Sequence, residues 1–172
     1  MNNNIIFKKL DLKESNFRKK ELQSICKSWL GKEGKYSLEE WNNFCKYCNI
    51  FVCVNNNKII GFLVVTLTSI YQCDQMDECL SANNLFPNKT LHVMLFAVDP
   101  RFRSRGIGGM LFEIMYKQND FQNATHYILA MREHNEIAKK FYLKQGFIES
   151  GFKCEAMYEN PIDDQIMLIK KV

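Results

Sequence analysis

Apolar and polar residues alternate over short stretches of this chain and recur at helical spacing over longer ones. Their order predicts a mixed sheet with helices packed on its faces. Residues 5–10 read as a first strand. Residues 14–30 carry Phe17, Leu22, Ile25 and Trp29 at helical spacing, and Gly31 and Gly34 end that helix. Ser37 and Glu40 form a capping box that opens a second helix through about Cys48. Residues 50–54 and 58–70 are strand runs joined by Asn55, Asn56 and Asn57, a hairpin signal because Asn tolerates positive φ. Residues 71–90 are polar and include Pro87, and they read as a long mobile surface loop. Residues 91–98 form a central strand, apolar on both faces except for His92. A helix follows over 109–118, with Met110, Leu111, Ile114 and Met115 at core spacing. Residues 126–131 are the next strand, and 135–145 a helix with Asn135 as N-cap and Gly146 as its stop. Two closing strands, 148–157 and 165–170, are joined by a turn around Asn160 and Pro161.

Composition narrows the function classes. A chain of 172 residues that is 47% hydrophobic, with 13 Phe, can bury a real core and predicts one domain over 1–172. The net charge of +4 is spread along the chain, which argues against a nucleic-acid partner. Apolar runs break within roughly ten residues, against about 20 for a membrane-spanning helix. Met1 to Lys9 does not read as a signal peptide, so a cytoplasmic protein without a membrane partner is expected. Seven cysteines at irregular spacing then read as reduced thiols. Cys45 and Cys48 form a C-x-x-C, but no second pair accompanies it and no metal is expected.

The candidate chemistry lies between the strand 91–98 and the helix that follows. Arg103, Ser104, Arg105, Gly106, Ile107 and Gly108 make a glycine-bearing turn from a strand into a helix. Such a turn exposes backbone N–H groups at the positive end of the helix dipole, a site for phosphate or pyrophosphate. The P-loop is excluded because no Gly-Lys-Ser/Thr follows, and the dinucleotide fingerprint because its third glycine is missing.

A second stretch runs Asn135-Glu136-Ile137-Ala138-Lys139-Lys140-Phe141-Tyr142-Leu143-Lys144-Gln145-Gly146-Phe147. Together with Val98-Asp99-Pro100 and the turn 103–108, it resembles the GNAT superfamily of acetyl-CoA-dependent N-acetyltransferases. The matching patterns are Gln/Arg-x-x-Gly-x-Gly/Ala after a strand ending in Val-x-Pro, and Asn-x-x-Ala-x-x-Phe-Tyr-x-x-x-Gly-Phe. The detailed resemblance covers 91–147; the first half matches in its order of elements.

The resemblance implies an α/β (α+β) fold. Its sheet is mixed and mostly antiparallel, of about seven strands, splayed between the fourth and fifth, with about four helices on its faces. It implies acetyl-CoA or coenzyme A as cosubstrate and an amine acceptor, on a small molecule or a protein. The amides of Arg103, Ser104, Arg105, Gly106, Ile107, Gly108 and Gly109 would hold the pyrophosphate. The main chain of Ala97 and Val98 would bind the pantetheine arm, and the Val98 N–H would polarise the thioester carbonyl. Tyr142 would protonate the leaving thiolate, against a plain role as a core aromatic. Asn135 would touch the cofactor arm or serve only as an N-cap. His92 is the candidate base, near a strand position where the histone-type branch places a glutamate. Its alternatives are a histidine bonded within the sheet and a chain of water molecules.

Acceptor recognition falls on weaker signals. Asp74, Asp77 and Glu78 cluster where they could steer a cationic amine, or form a solvated acidic loop. Tyr36, Trp41 and Phe44 could wall a pocket or belong to the core. The expected assembly is a monomer or homodimer. A noncatalytic coenzyme-binding or protein-interaction module, and transfer of a longer acyl group, are the rival readings.

Overall fold

The computed structural model describes residues 5–25, 45–70, 74–118, 121, 123–154 and 165–172. Seven strands lie in one sheet in the order β1-β2-β3-β4-β5-β7-β6. They are β1 Ile5–Leu10, β2 Asn49–Asn55, β3 Lys58–Leu67, β4 Thr90–Val98, β5 His126–Arg132, β6 Ile148–Cys154 and β7 Gln165–Lys171. The α-helices include α1 Leu12–Phe17, α2 Lys19–Ile25, α3 Asp74–Ala82, α4 Ile107–Tyr116 and α5 Glu136–Lys144, and residues 45–47 are also helical. The β4–β5 pair is parallel and β1–β2, β2–β3, β5–β7 and β6–β7 are antiparallel, so the mixed, mostly antiparallel sheet expected from the resemblance is present. Pairing of β4 with β5 covers Thr90, Leu91 and His92 and stops at His92↔Ile128, although β4 runs on to Val98 and β5 to Arg132. This is the expected splay. The chain divides into two compact units, Met1–Val65 with Leu95–Phe121, and Thr66–Met94 with Gln122–Val172.

In the first unit, β2 and β3 form the hairpin that the asparagines predict. Asn56 and Asn57 take φ of 47° and 61°, the left-handed values a two-residue primed turn requires. Helix α4 lies over β1 and β2, with Leu111, Phe112 and Met115 buried completely. Each such side chain contributes about 1.5–3 kcal/mol through removal from water. The helix expected over 14–30 is broken at Arg18, between α1 and α2. The side chains at the break have tasks that fix it. Arg18 Nε donates to Glu21 Oε2 at 2.8 Å and its Nη2 to the carbonyl of Asn57 at 2.7 Å, while Glu21 Oε1 accepts from the N–H of Ile59.

In the second unit, the expected loop over 71–90 is corrected. Its middle is helix α3, followed by a 3-10 turn at Pro87–Lys89. The reason is a narrow apolar stripe. Met76, Cys79 and Leu80 fall at i, i+3 and i+4, and they pack with Leu85, Ile128 and Met167 in one buried cluster. Thr68, fully buried, ties the far end by donating from Oγ1 to the carbonyls of Pro87 at 2.7 Å and Thr90 at 3.2 Å. Residues 148–157 were expected as a strand; β6 ends at Cys154, and Met157 lies outside the described residues. So do the capping box at Ser37, the turn at Asn160, and Trp29, Tyr36, Trp41 and Phe44.

Cys45, Cys53 and Cys79 are buried free thiols. Burial pushes Cys45 up to about 12 and Cys53 to about 11, which leaves them protonated and poor nucleophiles. No group of three His, Cys, Asp or Glu among the described residues is placed to hold a metal ion. No described helix is long and apolar enough to cross a membrane.

Candidate active site

The candidate residues fall in both units, and each group has its own geometry. In the first unit, β4 ends at Val98 and the chain turns through Pro100–Phe102 into α4. Asp99 caps this short 3-10 turn, accepting from the Arg101 N–H at 3.0 Å. The same carboxylate takes Arg101 Nε at 3.1 Å and Nη2 at 2.6 Å. These hydrogen bonds from Arg101 hold the Asp99 carboxyl down to about 2. Arg101 is thereby spent on Asp99. Arg103 Nε donates to the carbonyl of Val98 at 3.1 Å, and the Arg105 guanidinium lies 5.4 Å from the centre of the Phe102 ring.

Ser104 and Gly106 both take left-handed backbone, with φ of 60° and 79°. Gly106 is the N-cap of α4 and has no side chain to cap it. The first helical carbonyl bond is Met110 N–H to Gly106 O at 3.1 Å. The N–H groups of Ser104, Arg105, Gly106, Ile107, Gly108 and Gly109 engage no protein acceptor among the described residues. A Cβ placed on Gly106 meets no atom within 4 Å, so the space beside this residue is open. Unpaired donors at the start of a ten-residue helix, on a turn lifted by two left-handed residues, fit a phosphate or pyrophosphate group.

In the second unit, Tyr142 owes its position to the way α5 ends. Gly146 adopts φ of 86°, the Phe147 N–H donates to the Tyr142 carbonyl at 3.1 Å, and the Gly146 N–H to Leu143 at 3.0 Å. This is a Schellman motif, with Tyr142 three residues before the cap and Phe147 just beyond the glycine. The motif brings the two rings edge to face at 5.8 Å, and the Phe141 ring also meets Tyr142 edge to face at 5.4 Å. Burial pushes the Tyr142 hydroxyl above its ordinary value, so it keeps its proton well into the alkaline range. At the opposite end of α5, the Asn135 side chain accepts from the Ala138 N–H at 3.1 Å. Its Oδ1 is therefore committed to the N-cap.

His92 is buried, and it is the last residue of β4 that pairs with β5. Loss of hydration pushes its imidazole down to about 4, so it is neutral at pH 7 and a weak proton acceptor. The shift has a consequence for stability. The unfolded chain protonates His92 near its ordinary 6.5, and the folded chain only near 4. Its contribution is present in full above pH 6.5 and is lost as pH falls to about 4, an expected destabilisation of about 3 kcal/mol. Urea unfolding at pH 7 and pH 4.5 measures it. His92→Leu should flatten the difference between the two pH values, and an unaltered difference would assign the acid sensitivity to other groups.

Asp77 and Glu78 project from the exposed face of α3 and line an open groove with Ser81, Ala82 and Phe152. Asp74 is the first residue of the same helix. A residue the sequence reading passed over is Gly61, the one glycine in the buried run of β3. A lone glycine inside a strand signals close approach of another backbone; here that backbone is β4 at Ala97, and the side chains of Ile107 and Leu111 from α4 close in beside it.

Comparison with known proteins bears on these features. The family model described as Acetyltransferase (GNAT) domain matches residues 46–149. No curated protein matches the chain. Among solved structures, the chain resembles one of the NatC complex bound to Gag peptide and CoA, at 20% identity and a TM-score of 0.69, with 98% of each chain covered. An acetyltransferase of the GNAT family from Streptococcus pneumoniae matches at 15% identity and a TM-score of 0.70, over 98% of this chain and 99% of that one. The ribosomal-protein-S18-alanine N-acetyltransferase from Escherichia coli matches at 15% identity and a TM-score of 0.68, over 98% and 94%. At these identities the structures establish the shared fold.

Proposed function

The chain belongs to the GNAT acetyltransferase family, and on that premise we propose that it moves an acetyl group from acetyl-CoA to a primary amine of a small molecule or a protein. The observation that carries this reading is the set of open amides over 104–109, at a helix start where glycine permits the left-handed turn. Acetyl-CoA is the cosubstrate and supplies the activated acetyl thioester. The amides of Ser104 to Gly109 hold its pyrophosphate; the Arg103 N–H, expected among them, already donates to the Pro100 carbonyl at 3.4 Å, and Arg103 and Arg105 add positive charge. Ala97 and Val98 offer main-chain groups to the pantetheine arm, and the Val98 N–H is the donor for developing negative charge on the carbonyl.

Tyr142 Oη holds the proton that the departing sulfur needs. Its raised pKa keeps that proton available over the working pH range. Asn135 contributes chiefly by starting α5, since its side-chain oxygen is already engaged. Removal of a proton from the acceptor ammonium is the step for which His92 was the candidate. An imidazole near 4 is a poor base at neutral pH, which favours a water relay for this step. His92→Gln separates the two, because only a His92 base would move the lower limb of the pH–rate profile.

Asp77 and Glu78 are proposed to attract a cationic acceptor from their groove beside Phe152, with Asp74 on the same helix. The matched folds include the NatC complex bound to a peptide and an N-acetyltransferase of a ribosomal-protein alanine, which supports a protein amine beside a small one. The test is release of free thiol from acetyl-CoA with a panel of small amines, peptides with free N-termini and lysine peptides. At least one acceptor should accelerate release well above hydrolysis. Coenzyme binding without release for any acceptor class would make the chain a noncatalytic binding module.

A further inference from the structure

The segment that carries the open amides is anchored at both ends on two adjacent residues of β3. The strand has a bulge there: Cys53 pairs with Gly61 and Val54 with Ile59, leaving Ile60 as the extra residue. A bulge re-aims its backbone groups out of the ladder. The Ile60 carbonyl accepts the N–H of Asp99 at 2.8 Å, which fixes the chain where it leaves β4. The next residue, Gly61, receives the other end. A Cβ on Gly61 would stand 3.2 Å from Ile107 Cγ2, 3.3 Å from the Ala97 carbonyl oxygen and 3.4 Å from Leu111 Cδ1. Ile107 is the first residue of α4 and is buried.

We infer that Gly61 is a positioning residue for coenzyme binding: its missing side chain sets the depth at which the first turn of α4 sits on β3, and so the placement of the pyrophosphate donors. This rests on the role proposed above for the turn over 103–109. None of the three neighbours yields easily. The Ala97 oxygen is backbone, Ile107 is β-branched with a stiff χ1, and Leu111 is completely buried. An added methyl therefore displaces the helix start by a few tenths of an ångström rather than one flexible side-chain tip. Gly61 has ordinary strand backbone, so the effect of substitution arises from space and not from φ. Its distance from solvent is also informative, because a buried residue with no polar side chain touches no ligand and can act only through Ile107 and Ala97.

The experiment is calorimetric titration of Gly61→Ala and Gly61→Val with coenzyme A and with pantetheine, which lacks the pyrophosphate, alongside thermal melting. Misplacement by about 1 Å costs roughly 100-fold where geometry is critical. Gly61→Ala should therefore weaken coenzyme A about fivefold, and Gly61→Val about 50-fold, with a smaller loss for pantetheine, which meets the displaced Ala97 but not the helix start. Should the valine variant fail to fold, the alanine variant carries the test alone. Unchanged coenzyme A affinity would overturn the inference, and so would equal losses for coenzyme A and pantetheine, which mark general damage. Failure of the unsubstituted protein to bind coenzyme A would instead remove the pyrophosphate role of the turn, and the inference with it.

Discussion

Tyr142→Phe should lower kcat by about 10²–10⁴-fold, the usual worth of a positioned general acid, while coenzyme A affinity stays near that of the unsubstituted enzyme. The substitution keeps the backbone and ring contacts that place this residue. The Schellman bonds at the end of α5 are made by backbone groups, and the packing at 5.4 Å and 5.8 Å is between rings. Phenylalanine keeps all of it. The stability change should stay within about 1.5 kcal/mol, the range of one hydrogen bond. Steady-state kinetics at saturating acceptor, with calorimetry for coenzyme A, give the two quantities. A kcat equal to that of the parent would remove Tyr142 from the acid role and leave it as a core aromatic. The pH profile supplies a second check. A phenol held above its ordinary value of 10 cannot produce an alkaline limb at moderate pH, so the rate should remain flat there.

The contrast between Tyr142 and Gly61 shows what local sequence can and cannot reveal. The segment 135–147 was legible because every signal in it is local. Asn135 caps its own helix, Gly146 must take a left-handed φ, and Phe147 returns to Tyr142 within the same turn. The asparagine hairpin and the glycine turn after β4 were legible for the same reason, since φ preference is a property of single residues. Gly61 depends on residues 97, 107 and 111, which are distant in sequence, and nothing beside it announces them. The helix α3 was missed on other grounds. Its buried stripe is three residues wide, its remaining face is polar, and Pro87 suggested irregular structure although it lies beyond the helix. The break at Arg18 was hidden because it is held by the carbonyl of Asn57 and by the contact of Glu21 with Ile59, again long-range partners. For His92, sequence supplied a plausible base but not its burial, and burial is what sets its basicity. The reading of 91–147 as catalytic machinery thus rests on local chemistry. The energetic standing of each group in it comes only from the fold.

Gly106→Glu should abolish coenzyme A binding under ordinary assay conditions while the protein remains folded. Two effects add, and they can be separated. The first is strain: at φ of 79°, a residue with a Cβ costs about 1–2 kcal/mol in the left-handed region. That cost falls on stability and is independent of ligand charge. The second is electrostatic. A Cβ here meets no atom within 4 Å, so the new carboxylate is not forced into the core and extends over the open amides. A negative charge about 5 Å from the nearer of the two pyrophosphate charges costs about 3–4 kcal/mol at a surface-like dielectric, or about 10²–10³-fold in affinity, before the second charge is counted. Gly106→Ala carries the strain without the charge, and Gly106→Asn lowers the strain because Asn tolerates left-handed backbone. Calorimetric affinities for Asn and Ala should therefore lie close together, with a gap of at least tenfold between Ala and Glu, while stability separates Asn from Ala. Melting temperatures should differ little between Ala and Glu, since the backbone cost is shared. Retention of coenzyme A affinity in the Glu variant would mean that the donors over 104–109 do not face the pyrophosphate, whatever else the turn does. Weakening that is equal in Ala and Glu would mean that the turn's shape matters to binding while its positive potential does not.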